Sequence, residues 1–272
     1  MAGTGDSATV AQLASVDGVI SATSEALIPL ADDGLYRGDG VFEVIRLYDG
    51  RPFALAEHLD RIERSAAALE LPVERATLER ELGALLAAFG DADAQLRIVL
   101  TRGGRRLAMT EPMPDRGESV SLATIEYRTT LILDGVKSLS YAANMQATRL
   151  AQARGAEEAL LVRPDGIVLE APTSTIFWVS RDGSLRTPSL EVEILESITR
   201  ARLVGALDVE EGEFPLEDLR AASEAFLAST VREVHPVSAI DGAALDAPGP
   251  RTSEASEAFA ALVRRGLGRS LA

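Results

Sequence analysis

One residue type is nearly absent from this chain, and its single occurrence is the most informative position in it. Of the 27 residues that are Lys or Arg, only Lys137 is a lysine. Wherever a positive charge alone suffices the sequence carries arginine, so the retained amine suggests a position where guanidinium cannot substitute. Schiff-base chemistry is such a position: it needs a primary amine that can lose its proton and attack a carbonyl, whereas guanidinium stays protonated. Lys137 lies in Gly135-Val-Lys-Ser-Leu-Ser-Tyr141, whose turn former and apolar neighbours predict a partly buried strand or strand end. Burial there favours the neutral, nucleophilic amine.

Other residues could serve a carbonyl compound held at that amine. Glu170 closes Asp165-Gly-Ile-Val-Leu-Glu170 ahead of a Pro-Thr-Ser turn. A carboxylate there could keep a ring nitrogen protonated; the plain alternative is a solvated strand-end acid. Ser197 reads as the N-cap of a helix over 197–207, so the backbone amides of Ile198 and Thr199, with the Thr199 hydroxyl, could bind an anion such as phosphate. Arg61, in Glu57-His-Leu-Asp-Arg61, is expected on the helix face opposite the apolar stripe or at its edge. It could clamp a phosphate bidentately, or simply pair with a neighbouring acid such as Glu57 on the surface.

Composition removes competing chemistries. There is no cysteine, which excludes disulfides, thiolate nucleophiles and zinc-thiolate clusters and makes a reducing cytoplasm the simplest expected home. His58 and His235 are the only histidines, without clustered spacing, and no Gly-x-Ser-x-Gly elbow occurs, so neither a histidine-rich metal site nor a hydrolase triad is expected. Gly38-Asp39-Gly40 lacks the Walker lysine and the dinucleotide spacing. A net charge of −15 repels nucleic acid and anionic membrane surfaces, and no run of apolar residues is long enough to span a bilayer. Met1–Val16 lacks the basic start and apolar core of a signal peptide, and Met1–Ser7 is expected to be mobile.

The elements that must position these residues read as an α+β chain. Residues 41–48 are β-branched, aromatic and roughly alternating, and Asp49-Gly50 after them signals a type I′ turn into a hairpin returning through Pro52. Leu59, Ile62, Ala66 and Leu69 form the apolar stripe of a helix over 57–69, followed by a helix over 74–89 and strands at 95–101 and 119–126. Together these predict a small mixed α/β lobe over 1–126, a connection over 127–136 and a larger, strand-rich lobe over 137–272. Within the latter, a helix is expected over 144–154, strands at 159–162, 167–170, 175–179 and 225–229, and a closing helix over 253–267.

In sequence order, six blocks carry a family resemblance. They are Arg37-Gly-Asp-Gly-Val-Phe-Glu-Val-Ile-Arg46; Glu57-His-Leu-Asp-Arg61 with Ser65-Ala66; Lys137-Ser-Leu-Ser-Tyr141; Gly166-Ile-Val-Leu-Glu170 with Thr173-Ser-Thr-Ile-Phe177; Ile194-Leu-Glu-Ser-Ile-Thr-Arg200; and Ser229-Thr-Val-Arg-Glu-Val-His-Pro236. Together they resemble the class-IV aminotransferases: branched-chain and D-amino acid aminotransferases and aminodeoxychorismate lyases.

The resemblance implies the two-lobed class-IV aminotransferase fold, pyridoxal 5′-phosphate as cofactor, amino acid and 2-oxo acid substrates, and a homodimer or a multiple of one. It implies Lys137 as the residue that binds the cofactor covalently and Glu170 as partner of the pyridine nitrogen. It places Arg61, Ile198, Thr199 and Thr230 around the phosphate and Tyr141 near the cofactor's phenolic oxygen. Arg37, Phe42, Arg102, Arg105, Arg106 and Val231 become candidates for the substrate side. Several arginines there favour an acidic substrate, although a surface role is the default for any one of them. Two departures stand out. Ser197 replaces a glycine common in relatives, next to the added charge of Glu196. Val44 replaces the glycine of the branched-chain pattern. The leading expectation is a transaminase acting on D-amino acids such as D-glutamate and D-alanine. Alternatives are an aminodeoxychorismate lyase, which Lys137-Ser-Leu-Ser-Tyr-Ala-Ala-Asn-Met145 also resembles, a branched-chain aminotransferase, and a non-catalytic scaffold.

Overall fold

A computed structural model describes residues 12–268; Met1–Ser7, expected to be mobile, lies outside them. The chain forms two compact units, Met1–Pro114 and Asp115–Ala272.

In the first unit β1 (Leu13–Val16), β2 (Val19–Ala22), α1 (Asp33–Arg37), β3 (Gly40–Tyr48), β4 (Arg51–Pro52), α2 (Leu55–Ala68), α3 (Arg75–Phe89), β5 (Ala94–Thr101) and β6 (Arg106–Glu111) follow in order. Its antiparallel sheet has the order β2-β1-β6-β5-β3-β4. The expected tight turn is present: Asp49 and Gly50 take φ of 47° and 71°, the pair of positive values a type I′ turn demands. Gly50 is also required by space, since a Cβ there would lie 2.1 Å from the carbonyl oxygen of Gly90. On α2, Leu59, Ile62 and Ala66 are buried as the stripe predicts, each large side chain contributing about 2 kcal/mol. His58, Arg61 and Ser65 are buried as well, so the inward face of α2 is wider than its apolar stripe.

The second unit runs β7 (Val120–Glu126), α4 (Ala142–Ala153), β8 (Glu158–Val162), β9 (Thr175–Val179), β10 (Leu185–Pro188), α5 (Ile198–Val204), β11 (Val209–Gly212), α6 (Leu216–Arg220), β12 (Glu224–Ser229), β13 (Glu233–Ile240), β14 (Ala243–Ala244) and α7 (Pro250–Gly268). The strand order is β11-β10-β9-β12-β13-β7-β8, with β14 on β13. Alternate residues of β8 feed two cores on opposite faces: Leu160 and Val162 join Ile176, Trp178, Leu227 and Val237, while Ala159 and Leu161 join Ala147 and Ala151 of α4. Phe177 and Phe226 stack with centroids 4.9 Å apart. Under the first turn of α7 the buried Glu224 carboxylate accepts from Arg251 N (3.0 Å), Thr252 N (2.8 Å) and Thr252 Oγ1 (2.8 Å), satisfying amides that a helix start leaves open.

The strand at 119–126 corrects the sequence reading, which assigned it to the first lobe. β7 pairs in parallel with β8 and β13 in the second sheet. Val120 and Leu122 pack on one face and Ala123 and Ile125 on the other, so the strand needs a position covered on both sides. Residues 167–170 are likewise not a continuous strand but a run of isolated bridges, Val162 to Val168 and Ile167 to Pro215.

Candidate functional site

Four segments of the second unit carry the residues singled out from sequence, and side-chain hydrogen bonds tie these segments together. Lys137 follows a turn in which Gly135 has φ of 69° and Ser138 N donates to Val136 O at 2.9 Å; the lysine is half-buried. Just beyond it, the Tyr141 hydroxyl and Asn144 Nδ2 (3.1 Å) both donate to the carbonyl of Pro172. Pro172 belongs to the turn that follows Glu170, where Ala171 and Ser174 exchange hydrogen bonds of 2.9 and 3.3 Å. The lysine segment and the Glu170 segment therefore share an anchor.

Glu170 is fixed by its backbone, which accepts from Leu161 N at 2.9 Å, and its carboxylate accepts from Leu195 N at 3.3 Å. That second bond reaches the loop leading into α5. Tyr127 is close enough that burial first, and the Glu170 charge second, push its phenol up. Ser197 caps α5 as expected, its side chain accepting from Arg200 N at 3.3 Å. Its φ of −74° and ψ of 129° are ordinary extended values, so serine occupies the position of the relatives' glycine without strain. Glu196 is exposed, whereas Thr199 is 2% exposed.

The hairpin between β12 and β13 is the fourth segment. It carries Thr230 and Val231, both half-buried, and Arg232 N donates to Ser229 Oγ at 3.3 Å. The Arg232 guanidinium pairs with the buried Glu158 of β8, and Thr173 Oγ1 donates to the other oxygen of that carboxylate at 3.3 Å. Burial pushes Glu158 up, against the opposing pull of Arg232, Thr173 and Arg116; burial, with Arg232 and Arg116, pushes the neighbouring His235 down. Three buried polar atoms around these segments, Ser174 Oγ, Thr175 Oγ1 and His235 Nε2, have no hydrogen-bond partner among the described residues. Buried hydroxyls left open at a site are what a polar ligand would satisfy.

The first unit holds the remaining candidates. Arg61 is not on the solvent face of α2. It is buried, and its Nε and Nη2 donate to the two oxygens of Glu43 on β3 at 2.6 and 2.7 Å, because Arg61 and His58 share the helix face turned to that strand. His58 Nδ1 lies 2.7 Å from Glu43 Oε2; an ionised carboxylate only accepts, so Nδ1 carries the proton. Burial pushes the Glu43 carboxyl up, but the Arg61 charge and the Arg61 and His58 hydrogen bonds outweigh it and hold the group at about 2.

The substrate-side arginines all have acidic neighbours. Arg102 holds Asp39 and the carbonyls of Leu69 and Glu70, Arg105 holds Asp17, and Arg106 holds Glu81. Arg37 is the least constrained, with a 3.5 Å contact to Asp33 and a side chain 76% exposed. Phe42 is 7% exposed under the Arg97 guanidinium, 6.0 Å from its ring centroid. Among the described residues no group of three or more His, Asp or Glu is placed to hold a metal ion.

Glu43, Asn144, Glu158 and Arg232 escaped the sequence reading. Glu158 had a usable signal: alternation through Ala159-Leu-Leu-Val162 puts it on the face of Leu160 and Val162, where a carboxylate needs a partner.

The fold is that of a fold IV-transaminase. A protein so described from Curtobacterium pusillum superposes with a TM-score of 0.85 at 30% identity, over 96% of this chain and 100% of that one. A hypothetical aminotransferase from Mycobacterium tuberculosis, in its PLP-bound form, gives 0.85 at 26% identity, over 92% and 98%. Among curated proteins the D-alanine aminotransferase of Bacillus licheniformis is 32% identical over 89% of this chain and 94% of its own length. The putative branched-chain-amino-acid aminotransferase of Methanocaldococcus jannaschii is also 32% identical, over 80% and 84%. The family described as Amino-transferase class IV matches residues 40–240, and the chain belongs to that family.

Proposed function

We propose that this chain is a pyridoxal-phosphate-dependent transaminase of D-amino acids, moving an amino group to a 2-oxo acid, with Lys137 as its catalytic amine. The observation that carries the site is the chain of hydrogen bonds running from Tyr141 and Asn144 to Pro172, and from Glu170 to Leu195. It supports one site built from the lysine segment, the acid and the start of α5. The open hydroxyls of Ser174 and Thr175 fit a ligand rich in acceptor oxygens, as a phosphorylated pyridine is.

When bound, pyridoxal phosphate supplies an aldehyde for amines and a ring that accepts electrons. Lys137 would hold that aldehyde. When not engaged with the aldehyde, its Nζ would be the base that takes the proton from the substrate's Cα. Glu170, kept in place by Leu195 N, offers a negative charge that keeps a pyridine nitrogen protonated. Ile198 and Thr199 amides, the Thr199 hydroxyl and Thr230 would offer donors to phosphate oxygens; in the first unit, Glu43 holds the guanidinium of Arg61, the other phosphate candidate, in one orientation. The Tyr141 proton is committed to Pro172, so Tyr141 meets a cofactor's phenolic oxygen only by turning away from that carbonyl.

The D-amino acid reading is supported by the D-alanine aminotransferase likeness and by Val44 in place of the branched-chain glycine. Arg37, with the weakest tie of its set, is the candidate for a substrate carboxylate, and Val231 for a contact to the substrate's apolar part. A lyase releasing pyruvate from aminodeoxychorismate is the second reading, favoured by the Lys137–Met145 motif. We further propose a homodimer in the cytoplasm, the dimer supported by the exposed apolar side chains of Leu27, Leu30, Leu35 and Tyr36. Among the described residues no helix is long and apolar enough to cross a membrane.

The deciding experiment incubates the cofactor-loaded protein with single D- and L-amino acids and follows the visible spectrum. D-glutamate or D-alanine alone should convert the cofactor to its aminated form, faster than the L-enantiomers. Conversion by L-valine or L-leucine only would replace this reading by the branched-chain one, and turnover of aminodeoxychorismate alone by the lyase.

A further inference from the structure

Glu158 has no part in the chemistry proposed above, yet it is a buried acid whose two oxygens bind two separate loops of the second unit. Its side chain is 6% exposed at the start of β8. One oxygen is bound by Thr173, in the turn that follows Glu170; the other is bound by Arg232, in the hairpin that carries Thr230 and Val231. The two loops come from distant parts of the sequence, and the buried Glu158 carboxylate is a side-chain tie between them. Desolvating a carboxylate is costly, and an apolar residue of similar size often gives equal or better stability. What an apolar residue cannot do is hold two polar loops in one register. Arg116 is near enough to the same carboxylate for its charge to oppose the effect of burial.

We propose that Glu158 is a positioning residue that sets the spacing between the Glu170–Ser174 turn and the Ser229–Glu233 hairpin, and through it the affinity for the cofactor. The proposal rests on the functional reading above, since it assumes that both loops meet the cofactor. It separates two halves of one clamp. Glu158→Gln keeps an acceptor for Thr173 but turns an amide toward Arg232; Thr173→Val does the reverse.

The test titrates pyridoxal phosphate into the cofactor-free forms of wild type, Glu158→Gln, Arg232→Gln and the double variant, and records Tm with and without cofactor. Each single variant should bind the cofactor on the order of tenfold more weakly. The double variant should be no worse than either single one, and the rise in Tm on adding cofactor should shrink. Arg232→Lys, which keeps the charge, should recover part of the affinity. If the variants lose Tm equally with and without cofactor while their affinity is unchanged, Glu158 is only a packing residue and the proposal fails. If wild type itself neither binds the cofactor nor retains it on Lys137 after borohydride reduction, the functional reading fails instead. Should Glu158→Gln not fold, Thr173→Val and Arg232→Lys carry the same comparison.

Discussion

A lone amine in a chain of arginines makes the central claim testable at one atom. Lys137→Arg keeps the charge and removes the nucleophile, so borohydride treatment should leave no label on the protein and turnover should fall by more than a thousandfold, read by a coupled assay. Retained turnover would end the catalytic reading. Arg37→Ala should raise KM for D-glutamate several-fold more than for D-alanine if its guanidinium meets the side-chain carboxylate. Equal effects on both substrates would remove it from that role. Glu43 gives a prediction about acid. Its carboxyl stands at about 2 in the folded protein against an ordinary value of 4.5, so its contribution to stability is complete above 4.5 and is lost as pH falls from there towards 2. The loss is on the order of 3 kcal/mol. Urea titrations at pH 6 and pH 3 should show about two-thirds of it, and Glu43→Gln, less stable at pH 6, should show a shallower fall.

At the scale of elements, what was legible in the sequence was what local pattern encodes. The Asp49-Gly50 hairpin, α2, α3, β9 and the capped start of α5 follow from period, turn chemistry and a serine in front of a helix. Sheet membership is not local: nothing in Val120–Glu126 names β8 and β13 as its partners, and so the strand was assigned to the wrong lobe. The same limit applied to the site. Lys137, Glu170 and the Ser197 cap could be picked out by residue type, but the Glu158 clamp and the Glu43–Arg61 pair join residues 74 and 18 positions apart. Two changes probe these elements. Ser197→Gly should cost only a few tenths of a kcal/mol and leave cofactor affinity unaltered, because the backbone there is already unstrained. A marked gain in affinity would show that the serine impairs the anion cradle. Glu224→Ala should lower stability by about 1–3 kcal/mol, measured by denaturant titration, since it strands the buried Thr252 amide and hydroxyl.

For the whole molecule, the relevant features are charge and exposed apolar surface. A net charge of −15 keeps copies apart at long range, so association needs a concentrated apolar contact to overcome it. Leu27 and Leu30 are 83% and 74% exposed within one short segment of the first unit. The double change Leu27→Asp and Leu30→Asp should convert a dimer to a monomer in analytical ultracentrifugation, with the far-UV spectrum preserved. An unchanged sedimentation coefficient would place the proposed contact elsewhere.

The Glu224 carboxylate beneath α7 bears on how the chain is made as well as how it holds together. Glu224 is synthesised before its partners, and the amides of Arg251 and Thr252 emerge only after β13 and β14. Until then the acid sits at the start of β12 with its negative charge unanswered, which discourages the larger sheet from closing early around it. Arrival of α7 gives the acid its hydrogen-bond donors and covers that face. Synthesis of α7 thus doubles as the latch on the second unit, and a ribosome stalled before residue 250 would display a nascent chain with that latch still open.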